Sequence, residues 1–505
     1  MYSYLKVIFF DKNMNNIILE IVTLHYYFII IIIYVDTCNV MIYYKDVMKA
    51  DTSVSIKTGG IIMNLRKKAM YSAGFMATTM LLAACGNNED TDTANNGEGN
   101  EEQTTITFWA APNPTQERFW QQQAEDFMAE NEDIVVEVSQ MQESPSSEAT
   151  IQSAVASNTA PTISENITRS FGAQLVNSEV VIPLNELEGF DELIENRAMT
   201  NTIETWSFAD GNQYIMPVYS NPILFGWRTD LLEEIGVNEV PQTYSDLIEV
   251  AELLSEDSNR VVWAKADLSD STGWMRYFDF FPMYNAASEG NGFIEGSDLI
   301  ADEEAGTELL GLMDSLRENN ALLTSPDTDP FENGTSVMAD LGPWAFPNWS
   351  EQYPELVYGE NYEVTPPVVP DSMETNEGAY TFADAKGVVV YEQATEEERN
   401  AAMVFLEYVF SDIENDLDWL ETTSLIPARD DAAESEEFAE YFEENPQMMV
   451  YAENVPNAVP PMDNADFNSL MEIIGEEAWN PVVRGDKEAQ GAWEDMVEAL
   501  QGELE

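Results

Sequence analysis

The side chain best placed to react is the thiol of Cys85, which closes the run Leu81, Leu82, Ala83, Ala84 and is followed by Gly86, Asn87 and Asn88. Met63, the basic cluster Arg66, Lys67 and Lys68, and an uncharged stretch from Ala69 to Ala84 stand before it. A positive region, a short apolar region and small residues at the cut are the parts of an export signal. One that ends in cysteine resembles a bacterial lipobox, in which the thiol takes a diacylglycerol, with acyl chains of the palmitate type, and the chain is cut just before it. Cys85 is therefore the expected lipidation site and first residue of the mature chain.

That reading removes most other reactive chemistry. The chain's single histidine, His25, and its other cysteine, Cys38, both lie upstream of Cys85. The 421 residues that remain hold neither a disulfide nor a Cys/His metal site, and no Ser/His/Asp or Cys/His nucleophile is possible. No cofactor and no metal are expected. The whole chain carries 21 basic and 93 acidic side chains; 8 and 5 of them precede Cys85, which leaves 13 and 88 and a net charge of −75. Such a charge repels nucleic acid and anionic lipid alike. Paired carboxylates remain as possible acid/base catalysts.

The segments that must position these groups fall into order along the chain. Residues 1–62 hold an apolar run from Ile17 to Val35, long enough for a spanning helix. An anchor before a second, complete export signal is redundant, so translation is expected to begin at Met63, with Gly59 and Gly60 reflecting a ribosome-binding sequence in the gene. Residues 63–84 are the signal. Residues 85–105 are the lipidated cysteine and a tether of Asn, Glu, Asp, Gly and Thr that cannot bury enough surface to fold. Two acyl chains make a stable anchor where one is marginal. From there Ile106–Trp109 reads as a strand, Ala110–Gln116 as a loop, Glu117–Asn131 as a helix and Ile134–Val138 as a strand. This is the opening of a parallel α/β sheet, whose ligands gather past the carboxyl ends of the strands.

The order of segments resembles a family, the extracellular solute-binding proteins (family 1) of ABC sugar importers, and within it the maltose and oligosaccharide-binding branch. The pieces that carry the likeness are ITFW (106–109), ASNTAPT (156–162), VIPL (181–184), DGNQYIMP (210–217), FGWRTDLLEEIGV (225–237), VPQTYSDL (240–247), GPWAF (342–346) and IPAR (426–429). Thr162 stands where the family commonly has Asp, and Phe225–Arg228 replace its usual Tyr, Asn and Lys. The resemblance implies an α/β, two-lobe, periplasmic-binding-protein-like fold with hinge strands and a ligand cleft between the lobes, which close around the ligand. It implies one lobe from 106–219 plus about 384–430, and a second from about 222–380 plus 435–505.

A sugar offers apolar C–H faces edged with hydroxyls, so its site needs flat aromatic surfaces beside groups that donate and accept hydrogen bonds. All 11 tryptophans follow Cys85. Trp344 matches a position where the maltose-binding branch stacks an aromatic ring on its ligand, and Trp274 lies in the matching second-lobe segment. Glu165, Asn166 and Arg169 match the loop that grips ligand hydroxyls; Asn221, with Tyr219 and Ser220, matches a polar position at the first hinge crossing. Asn113 and Gln116 in the first loop, Asp267 and Asp270 in the second lobe, and Lys386 complete the candidates, whereas Arg429 reads as structural. Trp344 also has a structural explanation in the core or hinge, Trp274 on a buried helix face, Arg169 in an ion pair and Lys386 as a strand-edge charge.

The excess acidity reads as adaptation of an exposed protein to salt, its carboxylates forming solvated helix faces. Taken together, the sequence predicts a monomeric, lipid-anchored receptor on the extracellular face of the cell membrane. It captures a sugar, delivers it to the membrane-embedded ABC permease and does no chemistry. A secreted carboxylate-dependent glycosidase, or a binder of another polar solute, stays open. An adhesive lipoprotein is disfavoured because the chain has no repeats.

Overall fold

The computed structural model describes residues 103–142, 146–255, 260–270 and 273–504, with only the backbone of Gly273 and Trp274, and the backbone of four segments between 17 and 64. Cys85, the export signal after Asn64 and the tether up to residue 102 lie outside the described residues. Near the start, Ile17–Leu24, Tyr27–Asp36, Asn39–Ala50 and Ser53–Asn64 pair antiparallel in sequence order. The apolar run after Ile17 is therefore a strand pair where its length allowed a spanning helix. No helix among the described residues is long and apolar enough to cross a membrane.

The main unit opens as the sequence predicts. Strand β1 (Thr104–Ala110) buries Ile106, Phe108 and Ala110 on alternate positions. The helix that follows, Pro114–Glu130, starts earlier than the expected loop allows. Asn113 caps it by accepting from the Thr115 N–H, and Pro114 at its first position needs no donor there. Its buried stripe, Phe119, Trp120, Ala124 and Phe127, covers the sheet, with Trp120 at 4.4 Å from Phe108. Strands β2 (Ile134–Gln140) and β3 (Ile163–Ile167) pair parallel on either side of β1.

The chain then leaves this sheet through β4 (Met216–Pro222), buried at every position, and enters a second sheet at β5 (Leu224–Trp227). Strands β6 (Val261–Ala264), β7 (Leu322–Leu323), β8 (Ser336–Leu341) and β9 (Glu363–Thr365) complete it in the order β7-β6-β8-β5-β9. The return is β10 (Thr381–Val390), antiparallel to both β4 and β3. A short strand β11 (Ala458–Val459) lies parallel to the start of β10. A third passage follows β4 from the side, where Ser220 N–H donates to Ile426 O at 2.9 Å and Ala428 N–H to Val218 O at 3.1 Å.

Each sheet has its own apolar core. Ile106, Phe108, Trp120, Val388 and Phe405 belong to the first; Phe225, Trp263, Phe280, Leu309 and Trp479 belong to the second. A third cluster, with Leu224, Leu341, Trp349 and Tyr451, lies on the other face of the second sheet. This is the two-lobe α/β architecture. Buried charge pins the crossings: Arg197 donates to the carbonyls of Pro217 (2.5 Å) and Val218 (2.7 Å) and pairs with Asp416 at 2.8 Å, and Asp416 also holds Arg429 at 3.0 Å. Gly387, at a register shift of β10, passes so close to β4 that a Cβ there would sit 2.2 Å from Met216 O.

Candidate functional site

In the first lobe the middle of β3 meets the turn at the carboxyl end of β1 through Glu165. Its buried carboxylate accepts from the Ala111 N–H at 2.8 Å and from Gln116 Nε2 at 2.7 Å. Burial pushes its pKa up to about 7, against the opposing pull of those two donors, the nearby Trp120 indole and the Lys386 ammonium. Glu165 and Gln116 thus shape the loop after β1 from beneath. Beside them Asn166, in the left-handed region at φ 68°, accepts from Lys386 Nζ at 2.9 Å and donates to Ser147 Oγ at 3.2 Å.

Lys386 and Asp384 share one face of β10, opposite Tyr219 and Asn221 of β4. Asn221 is 0% exposed; its Oδ1 accepts from the Ile426 N–H at 3.0 Å, and its Nδ2 has no partner. Tyr219 stacks on Trp419 at 6.0 Å, and burial, then Asp384 and Glu165, pushes its hydroxyl pKa far up. Asp384 is raised by burial and lowered by Lys386, and no hydrogen bond falls on its carboxylate among the described residues.

The second lobe answers from the opposite side. Tyr277 lies between the rings of Phe382 (4.3 Å) and Phe467 (4.8 Å), and Asp384 is close enough to raise its pKa after burial. The next residue, Phe278, meets Trp344 edge-on at 6.2 Å and has Lys265 Nζ 5.7 Å from its ring centre. Lys265 pairs with Asp340 at 3.0 Å and stands 4.0 Å from Asp267, while the Trp263 indole donates to Asp340 at 3.2 Å. Asp267 Oδ1 is buried and has no hydrogen bond. Trp344 is 43% exposed, and its ring folds over Gly342, where a Cβ would lie 2.0 Å from the indole. An exposed indole folded over a glycine, with an acceptor free of hydrogen bonds and an ammonium nearby, suits a ligand with flat apolar faces and hydroxyl edges.

The structure gathers Glu165, Asn166, Tyr219, Asn221, Gln116 and Lys386 in the first lobe and Trp344 and Asp267 in the second. Other candidates stand apart. Asn113 is exposed and spends its side-chain oxygen on Thr115. Asp270 is exposed, its carbonyl accepting from Arg276. Arg169 turns to Ser207 O, Pro461 O and Asp463, beside a small cavity lined by Phe281, Phe293 and Phe382. Trp274 lies in the short turn Gly273–Tyr277, and its side chain falls outside the described residues. Sequence reasoning missed Lys265, Asp340 and Asp384. The signal was present: only three lysines follow Cys85, namely Lys265, Lys386 and Lys487, and two of them are here. No group of three or more His, Cys, Asp or Glu among the described residues is arranged to hold a metal ion.

Residues 122–450 match the family model of bacterial extracellular solute-binding proteins. An uncharacterized protein from Listeria monocytogenes EGD-e is 58% identical, with a TM-score of 0.79 over 80% of this chain and 100% of its own. Two more distant structures share the fold. The cyclic alpha-maltosyl-1,6-maltose binding protein of Arthrobacter globiformis is 18% identical, with a TM-score of 0.67 over 80% of this chain and 99% of its own. The GacH receptor of Streptomyces glaucescens, solved unliganded and with acarbose, is 20% identical, with a TM-score of 0.58 over 80% of this chain and 98% of its own. No curated protein matches the chain.

Proposed function

The chain belongs to the family of bacterial extracellular solute-binding proteins, and we propose that its solute is a saccharide, held between the two lobes and handed unchanged to the permease of an ABC importer. The observation that carries this reading is the exposed ring of Trp344 over Gly342, met edge-on by Phe278, with Lys265, Asp340 and Asp267 linked to one another beside Phe278. Flat rings take the C–H face of a pyranose, and charged groups already locked to one another present oriented acceptors to its hydroxyls. The sugars named for the two distant neighbours fit the same description. We assign ligand contact to Trp344, Asn221, Asn166 and Lys386, and a positioning role to Glu165 beneath the first loop. Arg169, Asn113 and Asp270 are not assigned to the ligand.

The remaining parts of the reading follow the sequence. Cys85 carries the lipid, residues 63–84 are the signal removed, and the tether holds a monomeric receptor off the outer face of the membrane. The crossings at β4 and β10 and the three apolar clusters support lobes of 106–219 with about 384–430, and of about 222–380 with 435–505.

A thermal-shift screen of mono- and oligosaccharides on the purified protein tests the reading. A binder is stabilised and returns the sugar intact, and Trp344→Ala removes the shift while leaving the free protein's melting temperature nearly unchanged. Stabilisation that survives Trp344→Ala moves the site elsewhere. Recovery of cleaved sugar makes the protein a glycosidase.

A further inference from the structure

All 13 lysines and arginines after Cys85 lie among the described residues. Ten of them stand in ion pairs. Of the other three, Arg118 is on the exposed side of helix Pro114–Glu130, Arg484 is exposed and donates to Ser269 O, and Lys386 is held by Asn166 Oδ1 at 2.9 Å. The two cations assigned to the cleft each face a carboxylate, Lys265 in ion pairs and Lys386 at longer range. Lys265 is matched by Asp340 and Asp267 together, and Lys386 has Asp384 two positions away on the same strand face.

What is left without a hydrogen bond is acidic or neutral: the Asp384 carboxylate, near Lys386; the buried Oδ1 of Asp267, 4.0 Å from Lys265; and the buried Nδ2 of Asn221. Asp384 and Asn221 are cross-strand neighbours in register, a free acceptor beside a free donor. A hydroxyl, which both donates and accepts, satisfies the pair. A carboxylate or phosphate meets one free donor and two cations that three carboxylates, Asp267, Asp340 and Asp384, already face. Burying such a charge without a counter-ion is costly.

We propose that the cleft sorts saccharides by charge, with Asp384 as the determinant: neutral sugars and sugars bearing an amine are taken, and uronates and sugar phosphates are refused. This rests on the saccharide reading above. The discrimination has a long-range part from the net charge of −75 and a local part from Asp384. Salt separates them, because at 1 M the screening length is about 3 Å and only the local part survives.

Isothermal titration in 1 M NaCl is the test. The ligands are maltotriose, isomaltotriose and cellotriose, followed by the C6-carboxyl and C6-amino derivatives of whichever binds most tightly. The carboxyl form is expected to bind at least about tenfold more weakly than the parent, and the amino form at least as well as the parent. Asp384→Asn, checked by circular dichroism for the native fold, should shrink the neutral-to-anionic ratio several-fold; Asp267→Asn serves if that variant does not fold. Equal or tighter binding of the carboxyl form overturns charge selection and leaves the saccharide reading standing. An unchanged ratio in folded Asp384→Asn overturns the role of that residue. Failure of every neutral sugar to bind overturns the saccharide reading, and this inference with it.

Discussion

Replacing Glu165 by glutamine removes one proton-binding site from the interior and changes almost nothing else. The amide can still accept from the Ala111 N–H, and Gln116 can turn its own amide to receive the new donor. Burial raises the Glu165 pKa from 4.5 to about 7, so the folded state holds a proton that the unfolded chain has released between those values. Where the folded state binds more protons, stability falls as pH rises. The stabilising proton is fully present below about pH 4.5 and lost above about 7. At 1.36 kcal/mol per unit, ionising Glu165 in place costs about 3 kcal/mol by pH 8. Asp279, raised by burial to about 6, adds a similar fall, but it does so in both proteins and cancels in the comparison. Urea unfolding at pH 5 and pH 8 in 1 M NaCl, followed by tryptophan fluorescence, reads the difference. Wild type and Glu165→Gln should be close at pH 5, and the variant should lead by about 3 kcal/mol at pH 8, a midpoint shift of up to about 1 M. Parallel pH profiles for the two proteins would refute a buried, proton-holding Glu165.

Three further perturbations have definite outcomes. Gly387→Ala places a Cβ 2.2 Å from Met216 O, a backbone atom with nowhere to go, and should cost about 3 kcal/mol or prevent folding, as urea midpoints or soluble yield will register. Asp463→Ala strips the acceptor from the N–H groups of Ala209 (3.0 Å) and Gly296 (3.2 Å) and the counter-charge from Arg169, and should destabilise by about 3 kcal/mol. Asp463→Asn, which keeps one acceptor, should cost less in the same urea assay. Finally, apparent stability should climb steeply between about 0.1 and 1 M NaCl as the screening length falls from about 10 to about 3 Å. A flat response removes the account of the acidity as salt adaptation.

The opening of the first lobe was legible because its signals are local. Alternating apolar residues in β1, the helix stripe from Phe119 to Phe127 and the Pro114 start all follow from periodicity and capping. The resemblance placed the crossings, but their pairing was not legible, because β10 runs between partners far away in the chain; nothing near Asp384 in sequence announces that Asn221 will stand opposite it. The same distance hid Lys265 and Asp340, 75 residues apart and 3.0 Å in contact. The partners of Arg169 were hidden in the same way: its place just after β3 fits a ligand loop, and Pro461 and Asp463 reach it only once the chain has returned from the second lobe.

The ten-residue strand Thr381–Val390 has a consequence for how the molecule comes into being. It supplies the inner neighbour of both β3 and β4, so the first sheet stays open until the chain has been made past Val390. A chain emerging from its N-terminus therefore exposes the β3 edge, unpaired, while the whole second lobe is being delivered. Contacts of such long sequence separation make folding slow and leave strand edges prone to wrong pairing. The high negative charge of the chain after Cys85 then has a use before the native state exists: it keeps unfinished chains from pairing with one another.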